Sequence, residues 1–121
     1  MWRLRKSATF EASHVLPNHA GKCARLHGHS WKVTVEVTGF SLQEKGSESG
    51  MVMDFGYVGN FLKSLVEQHL DHYHLNDTTE LANPTSEALA KWVFDMLHLS
   101  IPELSAVTID ETCTSSCEYR P

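Results

Sequence analysis

The succession of hydrophobic periods along the chain predicts an α+β fold: an antiparallel four-stranded sheet with two helices on one face, in the order ββααββ. Three observations predict it. Two early segments alternate apolar and polar residues, two middle segments repeat apolar residues at helical spacing, and two extended segments close the chain. The 121 residues suit a single domain, residues 1–121, because a second core would bury too little surface.

The first strand shows as Trp2, Leu4, Ala8, Phe10 and Ala12 on even positions against Arg3, Arg5, Thr9, Glu11 and Ser13 on odd ones, with Lys6 as the one break. Pro17, Asn18, Gly21 and Gly28 mark residues 15–28 as an irregular loop. The second strand is the clearest, with Trp31, Val33, Val35 and Val37 alternating with Lys32, Thr34, Glu36 and Thr38. Gly39 to Gly50 is polar and glycine-rich, a flexible connection, and Met51 to Asp54 reads as a short extended piece. Val58, Phe61, Leu62, Leu65, Val66 and Leu70 then recur at helical spacing, with Asp54 as a cap. Asp71 to Asn83 is polar and loop-like. A second helix is expected from Asn83-Pro84, with Leu89, Trp92, Val93, Met96 and Leu97 as its apolar stripe and Pro102 beyond its end. Ala106 to Thr112 and Cys117 to Arg120 complete the sheet. A four-stranded sheet has two free edges, and pairing of edges between subunits would protect them, so an oligomer is expected.

Composition excludes several classes. Ten Lys+Arg against 15 Asp+Glu leave a net charge of −5, and no basic cluster is present, so no nucleic-acid partner is expected. No window approaches the ~18 apolar residues of a membrane span, and the N-terminal region lacks an apolar run of signal-peptide length. Cys23, Cys113 and Cys117 are an odd count, which fits a reducing compartment better than a disulfide framework; a cytoplasmic location is expected.

The unusual feature is eight histidines. His27 and His29 flank Gly28 at the start of the second strand and share a face, because side chains two apart on a strand point the same way. His14 ends the first strand in phase with Phe10 and Ala12. If these strands pair antiparallel, His14 lies beside His27 and His29, and three neutral imidazoles form a tripod for Zn2+ with a fourth position open. Cys23, four residues before His27, has three readings: a ligand of a closed zinc site, an acid, base or nucleophile beside an open one, or a buried free thiol. Asp71-His72 is either a carboxylate-oriented imidazole for proton transfer or a solvated surface pair. Parity leaves Glu111 on either face of its strand; facing a pocket, its carboxylate would accept two parallel hydrogen bonds from a planar N–H fork.

Several segments occur together in order: Phe10-Glu-Ala-Ser-His14, Cys23-Ala-Arg-Leu-His27-Gly-His29, Leu70-Asp71-His72, Asn83-Pro-Thr-Ser-Glu87 and Glu111-Thr112. Over nearly the whole chain they resemble the 6-pyruvoyltetrahydropterin synthase family. The three-residue spacing between Cys23 and His27 and the ending Glu111-Thr-Cys-Thr114 are similar to its bacterial 6-carboxytetrahydropterin synthase branch, of the queuosine (7-deazaguanine) route. The resemblance implies the tunnelling fold, commonly a homohexamer built as two trimers. It implies Zn2+ on His14, His27 and His29, with Cys23, Asp71 and His72 moving protons and Glu111 anchoring the pterin. The implied substrate is 7,8-dihydroneopterin triphosphate. Thr112 next to the anchor, and Lys22 and Arg25 near the cysteine, are the further candidates for holding it. Two other outcomes stay open: a 6-pyruvoyl product from the same machinery, and a zinc-stapled pterin-binding module without turnover.

Overall fold

The two long strands that carry the histidines pair along their whole length. In the computed structural model, which describes residues Met1–Pro121, β1 (Trp2–His14) and β2 (His27–Gly39) run antiparallel from Trp2 opposite Gly39 to His14 opposite His27. The alternation read from the sequence therefore sorts onto two faces. Phe10, Ala12, Trp31, Val33, Val35 and Val37 are buried on one face, under the helices. Lys6, the break in the pattern, lies on that face too; its aliphatic stem runs over Gly59, where an added Cβ would stand 2.9 Å from Lys6 Cε.

The sheet continues through β4 (Leu104–Thr112) and β5 (Ser115–Tyr119), each antiparallel to its neighbour. A fifth strand corrects the expected count of four. Tyr73–His74, β3, lies parallel to β1 at Ala12 and Ser13, giving the order β3-β1-β2-β4-β5 and a mixed sheet. A two-residue strand has no alternation to detect, which is why the segment reads as loop. Met51–Asp54 joins no strand; the preceding loop instead closes on itself, Gly50 N–H donating to Gln43 O at 2.8 Å and Gln43 N–H to Met51 O at 2.9 Å.

The helices are α1 (Phe55–Leu65), the single turn α2 (Leu75–Thr78) and α3 (Ser86–His98). Asp54 caps α1 as expected, its carboxylate accepting from Gly56 N–H at 2.8 Å. α3 starts later than Asn83-Pro84, because Thr85 is its cap: Thr85 Oγ1 accepts from Ala88 N–H at 3.1 Å, and Pro84 stays outside the helix. Its buried stripe is Leu89, Ala90, Val93, Phe94 and Leu97; Met96, expected inside, is 42% exposed, since the helix turns Phe94 toward β4 and β5.

Two features position the site. The end of α1 widens into a π turn over Val66–Leu70, closed by Asp71 N–H donating to Val66 O at 2.8 Å, a local irregularity often found at functional sites. Leu70, fully buried, anchors that turn directly before Asp71-His72. At the other end of the sheet, on the helix-free face, Glu36 is buried between Arg120 (2.6 Å), Arg5 (3.1 Å) and Ser105 (2.8 Å). The hydrogen bond from Arg120 holds its carboxyl below the usual carboxylate range, against the opposing effect of burial.

Leu70→Ala should therefore lower unfolding free energy by about 2–5 kcal/mol in urea titrations, because it leaves a cavity under the π turn. A carboxyl depressed in the fold contributes stability above its unfolded pKa and loses it as pH falls toward the folded value. Urea midpoints measured from about pH 6 to about pH 3 should thus fall less steeply for E36Q than for the parent chain.

Candidate metal centre and active site

The strand register converges three imidazoles at one end of the sheet, on the helix-covered face. Ala12 opposes His29 and His14 opposes His27, so His14 stands next to both. The ring centroids of the three pairs are 4.5, 5.2 and 4.9 Å apart, at interplanar angles of 63°, 77° and 86°. Trp31 forms the floor, edge-on to His14 at 5.0 Å and to His29 at 5.2 Å, and its Nε1–H donates to Ala12 O at 3.1 Å.

The outer nitrogens fix the tautomers. His14 Nδ1–H donates to Pro84 O at 2.9 Å, and His27 Nδ1–H to Arg25 O at 2.7 Å. In a neutral ring the proton on Nδ1 leaves Nε2 as a lone pair. His14 is fully buried, and burial, reinforced by the neighbouring imidazoles His27 and His29, lowers its pKa although the Pro84 bond and Glu111 act the other way. The Nε2 atoms of His14, His27 and His29 are all buried without a hydrogen-bond partner. Three unpartnered Nε2 atoms brought together, two of them fixed as acceptors on His14 and His27, carry a desolvation cost that a cation would offset. Zn2+ fits this donor set, and His14, His27 and His29 are the residues that would hold it.

Glu111 completes the cluster. It lies in phase with Ile109, on the same face as Trp31 and His29, which resolves the parity left open by the sequence. Its Oε1 is 3.1 Å from His29 Nε2 and 3.4 Å from His14 Nε2. The ligand atoms of His14, His27, His29 and Glu111 all lie within 4.8 Å of one another.

Cys23 is not in that group. It sits in a half-exposed 3₁₀ turn, Lys22–Ala24, whose Cys23 O accepts from Leu16 N–H at 3.1 Å. The arrangement speaks against the closed Cys/His reading. Lys22 and Arg25 are exposed, and the contact Arg25 makes to the cluster is through its backbone carbonyl, not its guanidinium. Thr112 is exposed at the end of β4, its hydroxyl accepting from Thr114 N–H at 3.3 Å across the β4–β5 turn.

Asp71 and His72 are brought together with each other, on the opposite edge of β1. Asp71 Oδ1 accepts from Glu11 N–H at 2.9 Å and Oδ2 lies 3.0 Å from His72 Nδ1; the Glu11 bond, then His72, hold the carboxyl below its usual range. His72 has φ of +64°, a left-handed conformation costly for a β-carbon, and its N–H donates to Glu11 O at 2.6 Å. Its ring is 78% exposed and borders a polar cleft lined by Glu11, Ser13, His29, Ser30, Tyr73 and His74. No hydrogen bond or ion pair joins this pair to the imidazole cluster of the same chain.

Several supporting groups escape the sequence reading. The Pro84 carbonyl orients His14, and the Ser86 hydroxyl lies 3.5 Å from Glu111 Oε2. Asn76 pairs with both backbone groups of Val15, at 2.9 and 2.8 Å, pinning the chain just past His14. Pro84 and Ser86 belong to the quoted Asn83–Glu87 segment, a signal that marked the stretch but not its task; for Asn76 the sequence holds no signal.

A family model described as 6-pyruvoyl tetrahydropterin synthase matches residues 3–121. A Synechocystis protein named 6-carboxy-5,6,7,8-tetrahydropterin synthase is 51% identical over 120 residues, covering 98% of this chain and 93% of that one. A protein of the same name from Haemophilus influenzae is 30% identical over 99% of each chain. The solved structure of Caenorhabditis elegans 6-pyruvoyl tetrahydropterin synthase superposes with a TM-score of 0.84 at 25% identity, over 99% of this chain and 95% of that one. With a match along almost its entire length and the same T-fold, the chain belongs to the 6-pyruvoyl tetrahydropterin synthase family.

Proposed function

We propose that this chain is a zinc-dependent 6-carboxytetrahydropterin synthase: a lyase that converts 7,8-dihydroneopterin triphosphate and one water to 6-carboxy-5,6,7,8-tetrahydropterin, acetaldehyde and triphosphate, in 7-deazaguanine (queuosine) biosynthesis. The observation that carries the reading is the set of three unpartnered Nε2 atoms of His14, His27 and His29, in a chain 51% identical to a protein of that name.

Zn2+ held by these residues supplies Lewis acidity, lowering the pKa of substrate hydroxyls and stabilising charge that develops on the side chain. The protein supplies the rest. Glu111 accepts the N–H fork of the pterin ring and so sets the reacting carbons beside the tripod. Cys23, outside the ligand set, and His72 move protons on either side of the side chain, each worth on the order of 10²–10⁴ in rate. Asp71, fixed by the Glu11 amide, holds His72 Nδ1 and orients its ring. Thr112 borders the ring end. Lys22 and Arg25, exposed around Cys23, offer positive charge to the triphosphate on a chain of net charge −5.

The unpaired outer edge of β1 ahead of Ala12 and the open edge of β5 support assembly of several copies, as a homohexamer of two trimers acting in the cytoplasm. Such an assembly gives His72 a route to a tripod it does not reach within its own chain. No helix is long and apolar enough to cross a membrane.

Two outcomes test the proposal. Cys23→Ala should keep its zinc, measured by elemental analysis, and lose at least about a hundredfold in kcat; His27→Ala should lose the metal itself. Loss of zinc from Cys23→Ala would put the thiol in the metal shell and favour a structural role. Incubation with dihydroneopterin triphosphate should release acetaldehyde in step with triphosphate. A pyruvoyl product without acetaldehyde would move the chain to the other branch of the family.

A further inference from the structure

The position of Glu111 conflicts with a single role. A carboxylate that anchors a ring through two parallel hydrogen bonds uses both oxygens. Here both oxygens are already engaged. Oε1 lies 3.1 Å from His29 Nε2 and 3.4 Å from His14 Nε2, and Oε2 lies 3.5 Å from the Ser86 hydroxyl. The Pro84 bond to His14 Nδ1 leaves the Nε2 of His14 a lone pair, so that nitrogen and the carboxylate oxygen are two acceptors face to face. Such a contact is repulsive unless a cation lies between them. The backbone aims the side chain there: β4 departs from regular pairing between Asp110 and Thr112, and Glu111 is the extra residue of the bulge, a device that redirects a side chain next to a site.

We infer that Glu111 is the fourth ligand of the resting metal ion, and that a pterin ring claiming the same carboxylate releases it. The release step rests on the function proposed above. Ring recognition then opens the coordination position that the substrate side chain needs, and in the resting protein the carboxylate closes that position to water. The Ser86 hydroxyl, on the first residue of α3, steadies Oε2 and is a positioning residue for the carboxylate. The coupling is reciprocal: whatever factor Glu111 adds to metal affinity, ring binding gives up when it takes the carboxylate.

The test uses the full chain stripped of metal by chelation, then titrated with zinc against a competing indicator and, in parallel, loaded with cobalt(II) for its visible absorption spectrum. E111Q should bind zinc more than about 100-fold more weakly than the parent, beyond the ~10–100-fold loss of a group that only supports a ligand, and show a changed cobalt spectrum. S86A, which keeps the carboxylate, should shift both in the same direction by less. Adding 7,8-dihydroneopterin to the cobalt-loaded parent should move its spectrum toward that of E111Q. Unchanged zinc affinity and cobalt spectrum in E111Q would overturn the ligand assignment. A parent spectrum unmoved by pterin whose binding is seen in its fluorescence would overturn the release. Failure of the parent to bind pterin at all, with the metal titrations as expected, would instead overturn the proposed substrate and leave Glu111 as a ligand.

Discussion

Slipping β2 by one residue against β1 would destroy this molecule's site without removing a single site residue. With a period of two, such a slip sends His27 and His29 to the helix-free face while His14 stays under the helices. What prevents it is the core. Phe10 and Trp31 stack with centroids 5.9 Å apart, and Val33, Val35 and Val37 are completely or almost completely buried on the same face. A slip would expose that entire row to water, at roughly 1.5–3 kcal/mol for each large side chain. The hydrophobic alternation that folds the sheet is thus the same constraint that assembles the tripod, and the imidazole cluster inherits its precision from the register.

The site in turn departs from ordinary burial. Fully buried His14 leaves a nitrogen unpaired, in a pocket floored by Trp31, where a lone polar group costs free energy that packing must offset. Its second nitrogen is tied to a carbonyl contributed from 70 residues away, at the entry to α3. The loop before α3 therefore serves three tasks in succession: Pro84 orients His14, Thr85 caps the helix, and Ser86 steadies Glu111. A proline outside the helix suits this, because its carbonyl stays free of the helical ladder.

Much of this was legible in the residues because it rests on period and phase. Trp31 to Val37 declares a strand, His14 shares the phase of Phe10 and Ala12, and antiparallel pairing then brings the tripod together. What escaped depends on backbone details that leave no periodic trace. Tyr73–His74 is too short to alternate, the π turn before Asp71 differs from an α-helix by one hydrogen-bond step, and the bulge at Glu111 is a local irregularity of pairing. The apolar stripe of α3 includes Ala90 and Phe94 in place of Met96, because small Ala90 carries no strong hydrophobic signal of its own. Arg25 illustrates a different limit: its contact to the site is a backbone carbonyl, which any residue could provide.

The separation of Asp71 and His72 from the imidazole cluster follows from the same sheet. β1 has two edges, and His14 meets β2 across one while Asp71 and His72 dock on Glu11 across the other. Within one chain His29 and His72 border the same cleft, but no hydrogen bond or ion pair joins His72 to the imidazole cluster. The strained backbone of His72 holds an exposed ring toward a polar cleft. A conformation that costs free energy at the fold's margin and is fixed by two bonds to Glu11 is better understood as preparation for a surface beyond that margin. On the proposed reading that surface belongs to another copy, so sheet edges left open by the fold are also the seams along which the reaction centre is completed.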